Sequence, residues 1–94
     1  MLWSATEIAA ARETISALLE ELGLAAYVFA IEPREGKWEL KVECDIAGAW
    51  ETVTVPVDIQ ALLASRTDPD MRKRLLQVWD TELAACRRSE RLKS

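Results

Sequence analysis

Residues 37–55, "KWELKVECDIAGAWETVTV", contain the clearest side-chain alternation in this chain of 94 residues. Apolar side chains occupy every second position from Trp38 to Ile46, and charged side chains occupy the positions between them. This alternation is typical of a strand with one face buried and the other in water. Residues 50–57 then place three valines on one face and Trp50 with two threonines on the other. The stretch predicts a β-hairpin and leaves open which way Trp50 faces.

The length of the hairpin loop decides the orientation of Trp50, because one residue more or less reverses every side chain of the returning strand. An even loop at residues 47–48 turns the valines toward the core and leaves Trp50 on the solvated face, opposite Asp45. In the alternative, Gly48 is the left-handed residue of a three-residue loop with a bulge, and Trp50 turns inward beside Cys44. We favour the even loop, because the alternative needs a second bulge to bring the valines to the core.

A further strand is predicted upstream, at residues 25–32, where the sequence is rich in aromatic and branched side chains. The turn-type cluster "PREG" follows it. A four-residue loop at 33–36 pairs Ile31 with Trp38 and keeps apolar side chains opposite one another. Both loops therefore place the second strand in the centre of a three-stranded antiparallel meander.

The first helix is predicted at residues 4–22, where apolar side chains recur three and four positions apart. Ser4 and Glu7 have the spacing of a capping box, in which each side chain accepts a hydrogen bond from the backbone N–H of the other residue. Gly23 is suited to the left-handed position that ends a helix. Both ends of this helix are thus marked in the sequence.

Two more helices follow the strands. Asp58 is the predicted cap of a short helix at residues 59–65. Asp68 and Pro69 mark the beginning of the last helix, which we expect to continue to about Leu92.

These elements predict an α+β fold of order α-β-β-β-α-α, with helices packed on one face of a three-stranded antiparallel meander. We expect residues 1–94 to form one domain, with the last few residues frayed. The expected core consists of apolar residues from all the elements: Ile15, Leu18, Leu22, Tyr27, Phe29, Ile31, Trp38, Leu40, Val42, Val53, Val55, Leu62, Leu75 and Val78.

Composition argues against several functions. The chain contains no histidine, which removes the usual near-neutral general base and histidine metal sites. No apolar run approaches the roughly 20 residues of a membrane span, and no signal peptide is evident, so we expect a cytoplasmic protein without membrane association. Cys44 and Cys86 lack metal-ligand spacing, and we expect two reduced, partly buried thiols. No cofactor, metal or small-molecule substrate is predicted.

Candidates for catalysis are few. Glu82 lies beside the apolar stripe of the last helix, where a boundary residue is the simpler interpretation, and Cys86 precedes two arginines but occupies a core-type position. The three glycines are accounted for by a helix end and two turns, so no phosphate-binding loop is predicted. We therefore expect a protein that is not an enzyme.

A basic segment supports one alternative function. Residues 66–94 carry eight basic and five acidic side chains, whereas residues 1–65 carry four and eleven. The order helix, meander, helix resembles the double-stranded RNA-binding domain, and "MRKRLLQVW" at 71–79 resembles the basic start of that family's last helix. The resemblance implies phosphate binding through basic residues of the last helix. Because the chain is acidic overall, we keep nucleic-acid binding as the alternative hypothesis, with its candidate residues being Arg72, Lys73, Arg74, Arg87 and Arg88.

Binding of another protein is the leading hypothesis. Ala26, Val28 and Ala30 make the outer face of the first strand apolar, and Trp50 lies at the opposite margin of the same face. A three-stranded meander also has two open edges, which a protein must block or use. A small acidic dimer of a sheet and flanking helices is similar to some bacterial secretion chaperones. We therefore predict a non-catalytic interaction module of the adaptor, chaperone or inhibitor kind, which forms a homodimer or binds another protein, with the homodimer favoured.

Overall fold

The computed structural model describes residues 3–24, 27–35, 37–46 and 48–86. Its elements have the predicted α+β class and order, and antiparallel strands form one sheet of order β1-β2-β3. The elements in chain order are α1 Ala5–Leu22, β1 Tyr27–Arg34, β2 Lys37–Ile46, β3 Ala49–Val57, α2 Ile59–Ala64, α3 Pro69–Glu82 and a short 3-10 helix, η1, Ala84–Cys86.

Helix α1 has the two ends that the sequence predicts. The Ser4 hydroxyl accepts a hydrogen bond from the Glu7 backbone N–H, and the Glu7 carboxylate accepts one from the Ser4 N–H, at 3.1 and 2.9 Å. Gly23 ends the helix in the left-handed region, at φ 70°. The capping box thus supplies partners for backbone groups that the first turn leaves free.

The caps of the later helices are also confirmed. The Asp58 carboxylate accepts hydrogen bonds from the first turn of α2, and the Asp68 carboxylate does the same for α3. Pro69 occupies the start of α3, where a residue without an N–H costs nothing.

The β2–β3 hairpin has the predicted even register. Asp45 lies opposite Trp50, Val42 lies opposite Val53, and the pairing ends with Ile46 opposite Ala49. Trp50 therefore faces away from the helices, and the bulged alternative is wrong.

The β1–β2 register differs from the prediction by two residues. Ile31 lies opposite Leu40, and Trp38 lies opposite Pro33, because β1 extends to Arg34. Strand β2 begins at Lys37, and Glu35 adopts a left-handed conformation after β1, at φ 51°. The sequence suggested a longer loop because Pro33 resembles a turn residue, yet proline is tolerated in an edge strand. Since the difference is even, every side chain keeps its predicted face.

One hydrophobic cluster joins α1, the inner face of the sheet and the later helices. Most predicted core residues are buried in it or packed against it, but Val78 is 53% exposed and its prediction as core is wrong. Trp79, one position further along α3, is buried instead. The fully buried members with the largest side chains are Trp79, Ile15, Leu18, Leu19, Leu40, Ile59, Leu62 and Leu83.

Helix α3 is shorter than predicted. It ends at Glu82, and Leu83 leaves the helical conformation, with φ −107° and ψ 19°. The fully buried Leu83 thus anchors the chain as it turns into η1. The part of the predicted helix beyond Cys86 lies outside the described residues.

A disulfide joins Cys44 to Cys86, which corrects the expectation of two reduced thiols. Cys44 points inward from β2, as the alternation predicts, and both side chains are fully buried. The pairing was missed because the prediction kept Cys86 on a continuing helix. The early end of α3 instead brings η1 against β2, where the two Cα atoms are 5.6 Å apart.

Candidate interaction surfaces

The outer face of the sheet carries the predicted partner-binding residues. Trp50 is 62% exposed on β3, and Val28 is 56% exposed on β1, with Ala30 also exposed. Ala26 lies outside the described residues. The apolar side chains of this face are therefore at its two margins, as the sequence predicts.

Charged residues of β2 separate these margins. The Lys41 ammonium forms an ion pair with Glu32 of β1 at 3.4 Å. Glu39 and Lys41 are half-buried, whereas Glu43 and Asp45 are exposed. The centre of the outer face is thus polar, and any apolar contact with a partner must use β1 or β3.

Two prolines show which backbone groups face the edges of the sheet. Pro33 of β1 pairs with Trp38, and Pro56 of β3 pairs with Glu39. Proline has no N–H to donate to a neighbouring strand. If every hydrogen bond of the sheet is formed, both prolines must therefore lie in non-hydrogen-bonded pairs, in which the backbone groups of the edge strand point away from β2. Both prolines fit the same alternation along β2. The outward-facing backbone groups are then those of Tyr27, Phe29 and Ile31 on β1, and those of Trp50, Thr52 and Thr54 on β3.

The β1 edge is uncharged and incompletely covered. Tyr27 and Phe29 point toward the inner side but are only half-buried, whereas Ile31 is buried. Partial burial raises the pKa of the Tyr27 hydroxyl, and the nearby Glu20 carboxylate raises it further. No charged residue occurs from Tyr27 to Ile31. The edge therefore lacks the charges that usually prevent strand pairing, and it is blocked only at Pro33.

The tip of the β2–β3 hairpin is open on both faces. All four residues at positions 49–52 are exposed, although their side chains alternate between the two faces. Carboxylates surround this tip: Asp45 opposite Trp50, Glu43 opposite Thr52, and Glu51 on the inner face. Asp45 also accepts a hydrogen bond from the Gly48 N–H at 2.9 Å, which holds its carboxylate beside the turn. This end of the sheet is an acidic surface with one exposed indole.

The basic residues of α3 are partly engaged within the chain. Arg72 forms an ion pair with Glu21 of α1 at 2.6 Å, and this hydrogen bond holds the pKa of the Glu21 carboxyl below its ordinary value of 4.5. Lys73 and Arg74 are exposed, while Arg87 and Arg88 lie outside the described residues. Phosphate binding by this set stays a prediction, and the geometry adds no support to it.

Two open grooves lie away from the outer sheet face. The larger, of about 480 Å³, has Trp3, Trp38 and Ile59 among its lining residues, and the other, of about 270 Å³, lies beside Arg66 and Arg72. Glu82 is exposed and lines neither groove, and Cys86 is committed to the disulfide. Within the described ranges, no group of three or more cysteine, aspartate or glutamate residues is arranged to hold a metal ion.

No protein-family model matches this sequence, and comparisons with curated proteins and with solved structures gave no match. None of the helices in the described part of the chain is both long enough and apolar enough to cross a bilayer. The expected cytoplasmic localisation stays a prediction. The disulfide does not favour it, because disulfides are more typical of oxidising compartments than of the cytosol.

Sequence reasoning found the exposed side chains but missed the features that define the edges. The cluster "PREG" predicts a turn at Pro33, and the exposed apolar side chains alone do not point to Pro56 or Glu51. The signal was present, since a proline in an alternating strand indicates an edge position with its nitrogen facing outward. The two prolines together would have indicated which residues of each edge strand are free to pair.

Proposed function

We propose that this chain is a non-catalytic protein-interaction module that works as a homodimer, in which the β1 strands of two copies pair edge to edge. The observation that carries the proposal is the β1 edge, which is uncharged from Tyr27 to Ile31 and open in the described part of the sheet. An exposed edge of this kind is a template for a further strand.

The edge is self-complementary in one antiparallel register. If Phe29 pairs with Phe29 of the second copy, then Tyr27 pairs with Ile31 of that copy, and the reverse. All three residues have outward-facing backbone groups, so the junction contains about six hydrogen bonds. Pro33 falls beyond these pairs, where its missing N–H does no harm. The result is a continuous six-stranded sheet.

Side chains on both faces gain contacts in this register. On the outer face, Val28 lies directly opposite Ala30 of the second copy. On the inner side, the half-buried Phe29 is covered by Phe29 of the second copy, and the half-buried Tyr27 is covered by Ile31 of that copy. Removal of this apolar surface from water supplies the main driving force for association.

Sedimentation velocity at two protein concentrations tests the proposal, with Val28→Lys as the disrupting variant. Val28 is exposed and lies opposite Glu43, so the introduced lysine has a partner in its own subunit and the fold is retained. Thr52→Lys is the matched control, because Thr52 flanks the same Glu43 on the other edge strand. We expect a dimer for wild type and T52K and a monomer for V28K. A wild-type chain that is monomeric at both concentrations contradicts the proposal.

A further inference from the structure

The second edge of the sheet differs from the first in its charge. At the open end of β3, Asp45 lies opposite the exposed Trp50, Glu43 lies opposite Thr52, and Glu51 lies on the inner face. Among the described residues, no basic side chain forms an ion pair with any of the three carboxylates. The nearest cation along β2, Lys41, is already paired with Glu32 at 3.4 Å. Charge complementarity therefore points to a cationic occupant.

The backbone of this edge specifies an extended occupant. The outward-facing groups of Trp50, Thr52 and Thr54 can hydrogen-bond to an added strand, which would end at Pro56 because that residue has no N–H. Positions 49–52 are exposed on both faces, so side chains of the added strand meet no helix there. Addition of a peptide strand to an open sheet edge is a common mode of recognition, and side-chain contacts give it specificity.

We propose that the β3 edge binds an extended peptide from another protein, as a fourth antiparallel strand with lysine or arginine at the two outer-face positions beside Trp50 and Thr52. Strands are spaced about 4.8 Å apart, so a residue beside Thr52 lies about 10 Å from Glu43, across one small side chain. A lysine and a glutamate together span that distance. A cation beside Trp50 reaches both the indole face and Asp45.

The third outer-face position has the opposite preference. Thr54 lies opposite Lys41, so a basic peptide residue beside Thr54 would meet a like charge. From its amino end, an antiparallel peptide should therefore have a neutral residue beside Thr54. Basic residues follow two and four positions later, beside Thr52 and Trp50. This selectivity belongs to the β3 edge, whereas the proposed dimer uses the β1 edge. Peptide binding therefore does not depend on dimerisation.

A blocked peptide of sequence TVKVKT is the probe, and TVEVET is its charge-reversed control. Binding to the intact chain is followed by fluorescence anisotropy of the labelled peptide. We expect saturable binding of the lysine peptide, at least about tenfold weaker binding of the glutamate peptide, and loss of affinity as salt is raised from about 0.05 to 0.5 M, because exposed charges are screened. Equal binding of both peptides overturns the proposal.

Variants of Thr52 separate backbone docking from charge. Thr52→Pro removes a backbone N–H that faces the open edge and makes no hydrogen bond within the sheet. Pro56 lacks the corresponding N–H naturally. Thr52→Val keeps the N–H and changes only the side chain. We expect binding to weaken at least about tenfold in T52P and to stay within about twofold in T52V. Thermal unfolding shows whether T52P is folded. Asp45→Asn keeps every backbone N–H of the strands and removes one carboxylate, so its peptide affinity measures the contribution of charge. Unchanged binding in both T52P and D45N contradicts the proposal.

Two other occupants would give different results. If the basic segment at residues 87–94 fills this edge, replacing Arg87 and Arg88 by glutamine raises the affinity for the peptide at least about tenfold. If a second copy fills it, T52P sediments as a smaller species than the wild type at the same concentration. Either result overturns the proposal. The β1 dimer is judged separately, because V28K reports on that edge alone.

Discussion

Cys86, in the turn that follows α3, is disulfide-bonded to Cys44 on the inner face of β2, 42 residues earlier in the chain. Cys44 itself lies opposite Glu51 of β3. The bond therefore fixes the end of the described chain to the half of the sheet that bears the acidic hairpin tip. It also closes a loop that contains β3, α2 and α3.

Loss of this bond is expected to destabilise the fold without changing its class. A cross-link over a loop of this length stabilises a protein by about 2–4 kcal/mol, mainly by restricting the unfolded chain. We expect the Cys44→Ala, Cys86→Ala double variant to lose about that much free energy of unfolding in urea titrations. Reduction of the wild type with a dithiol should give a similar loss and should have no effect on the double variant. Two titratable thiols in the unreduced protein would contradict the pairing.

The two tryptophans at positions 50 and 79 should respond oppositely to truncation. Trp79 is buried in the core, so Trp79→Ala should cost about 3–5 kcal/mol of unfolding free energy. Trp50 is 62% exposed, so Trp50→Ala should change stability by no more than about 0.5 kcal/mol. Chemical denaturation of both variants measures this difference. A strongly destabilised W50A variant would indicate that Trp50 contributes to the core.

The class of the fold and the faces of its strands could be predicted from the sequence because they depend on local patterns. Side-chain alternation over residues 37–46 fixes which face of β2 is buried, and even loops carry that assignment to the neighbouring strands. The caps at Ser4, Asp58 and Asp68 depend only on residues within three positions of each helix start. These features need no knowledge of distant contacts.

The errors concern features that depend on tertiary packing. The β1–β2 pairing differs by two residues because apolar pairs are possible in either register, so the faces alone could not distinguish them. Helix α3 ends early, and the turn that follows it buries Leu83 and brings Cys86 to its disulfide partner on β2. Val78 was assigned to the core because periodicity alone does not distinguish it from its neighbour Trp79. The interaction surface was predicted in outline, from exposed side chains, but its selectivity depends on the strand edges.

The Glu21–Arg72 ion pair should make a small, pH-dependent contribution to stability. The hydrogen bond from Arg72 lowers the pKa of the Glu21 carboxyl in the folded state. A group with a lowered folded pKa stabilises the protein above its unfolded pKa, here about 4.5, and loses that effect as the pH falls through the folded value. Glu21→Gln should therefore differ from wild type near neutral pH and converge with it in acid. Both side chains are substantially exposed, so the difference should be small.

Thermal unfolding between about pH 2 and 7 measures this effect. Glu13→Gln is the control, because the Glu13 contact with Arg66 is longer, at 4.0 Å, and the carboxylate is more exposed. A difference between E21Q and wild type that persists unchanged at the acid end would show that the glutamine acts through packing and not through charge.

A charge pair built across the proposed dimer junction should restore association that each half of the pair disrupts. Val28 lies beside Ala30 of the second copy only in the antiparallel register centred on Phe29. V28K or Ala30→Glu alone places a charge from each copy in the apolar junction with no opposite charge facing it on the other copy, and we expect monomers. In the double variant, each lysine faces a glutamate of the other copy, and opposite charges at such positions contribute roughly 0.2–1 kcal/mol per pair. Sedimentation velocity should show partial recovery of the dimer.

The controls for this variant are provided by the subunit itself. Val28 lies opposite Glu43, and Ala30 lies opposite Lys41, so each introduced charge meets an opposite charge on β2 and the folded subunit is retained. Raising the salt concentration should weaken the recovered dimer more than the wild-type dimer, because only the former depends on exposed charges. If both single variants dissociate and the double variant stays monomeric at low salt, the register centred on Phe29 is wrong even though β1 forms the interface. If all three variants remain dimeric, the interface lies elsewhere.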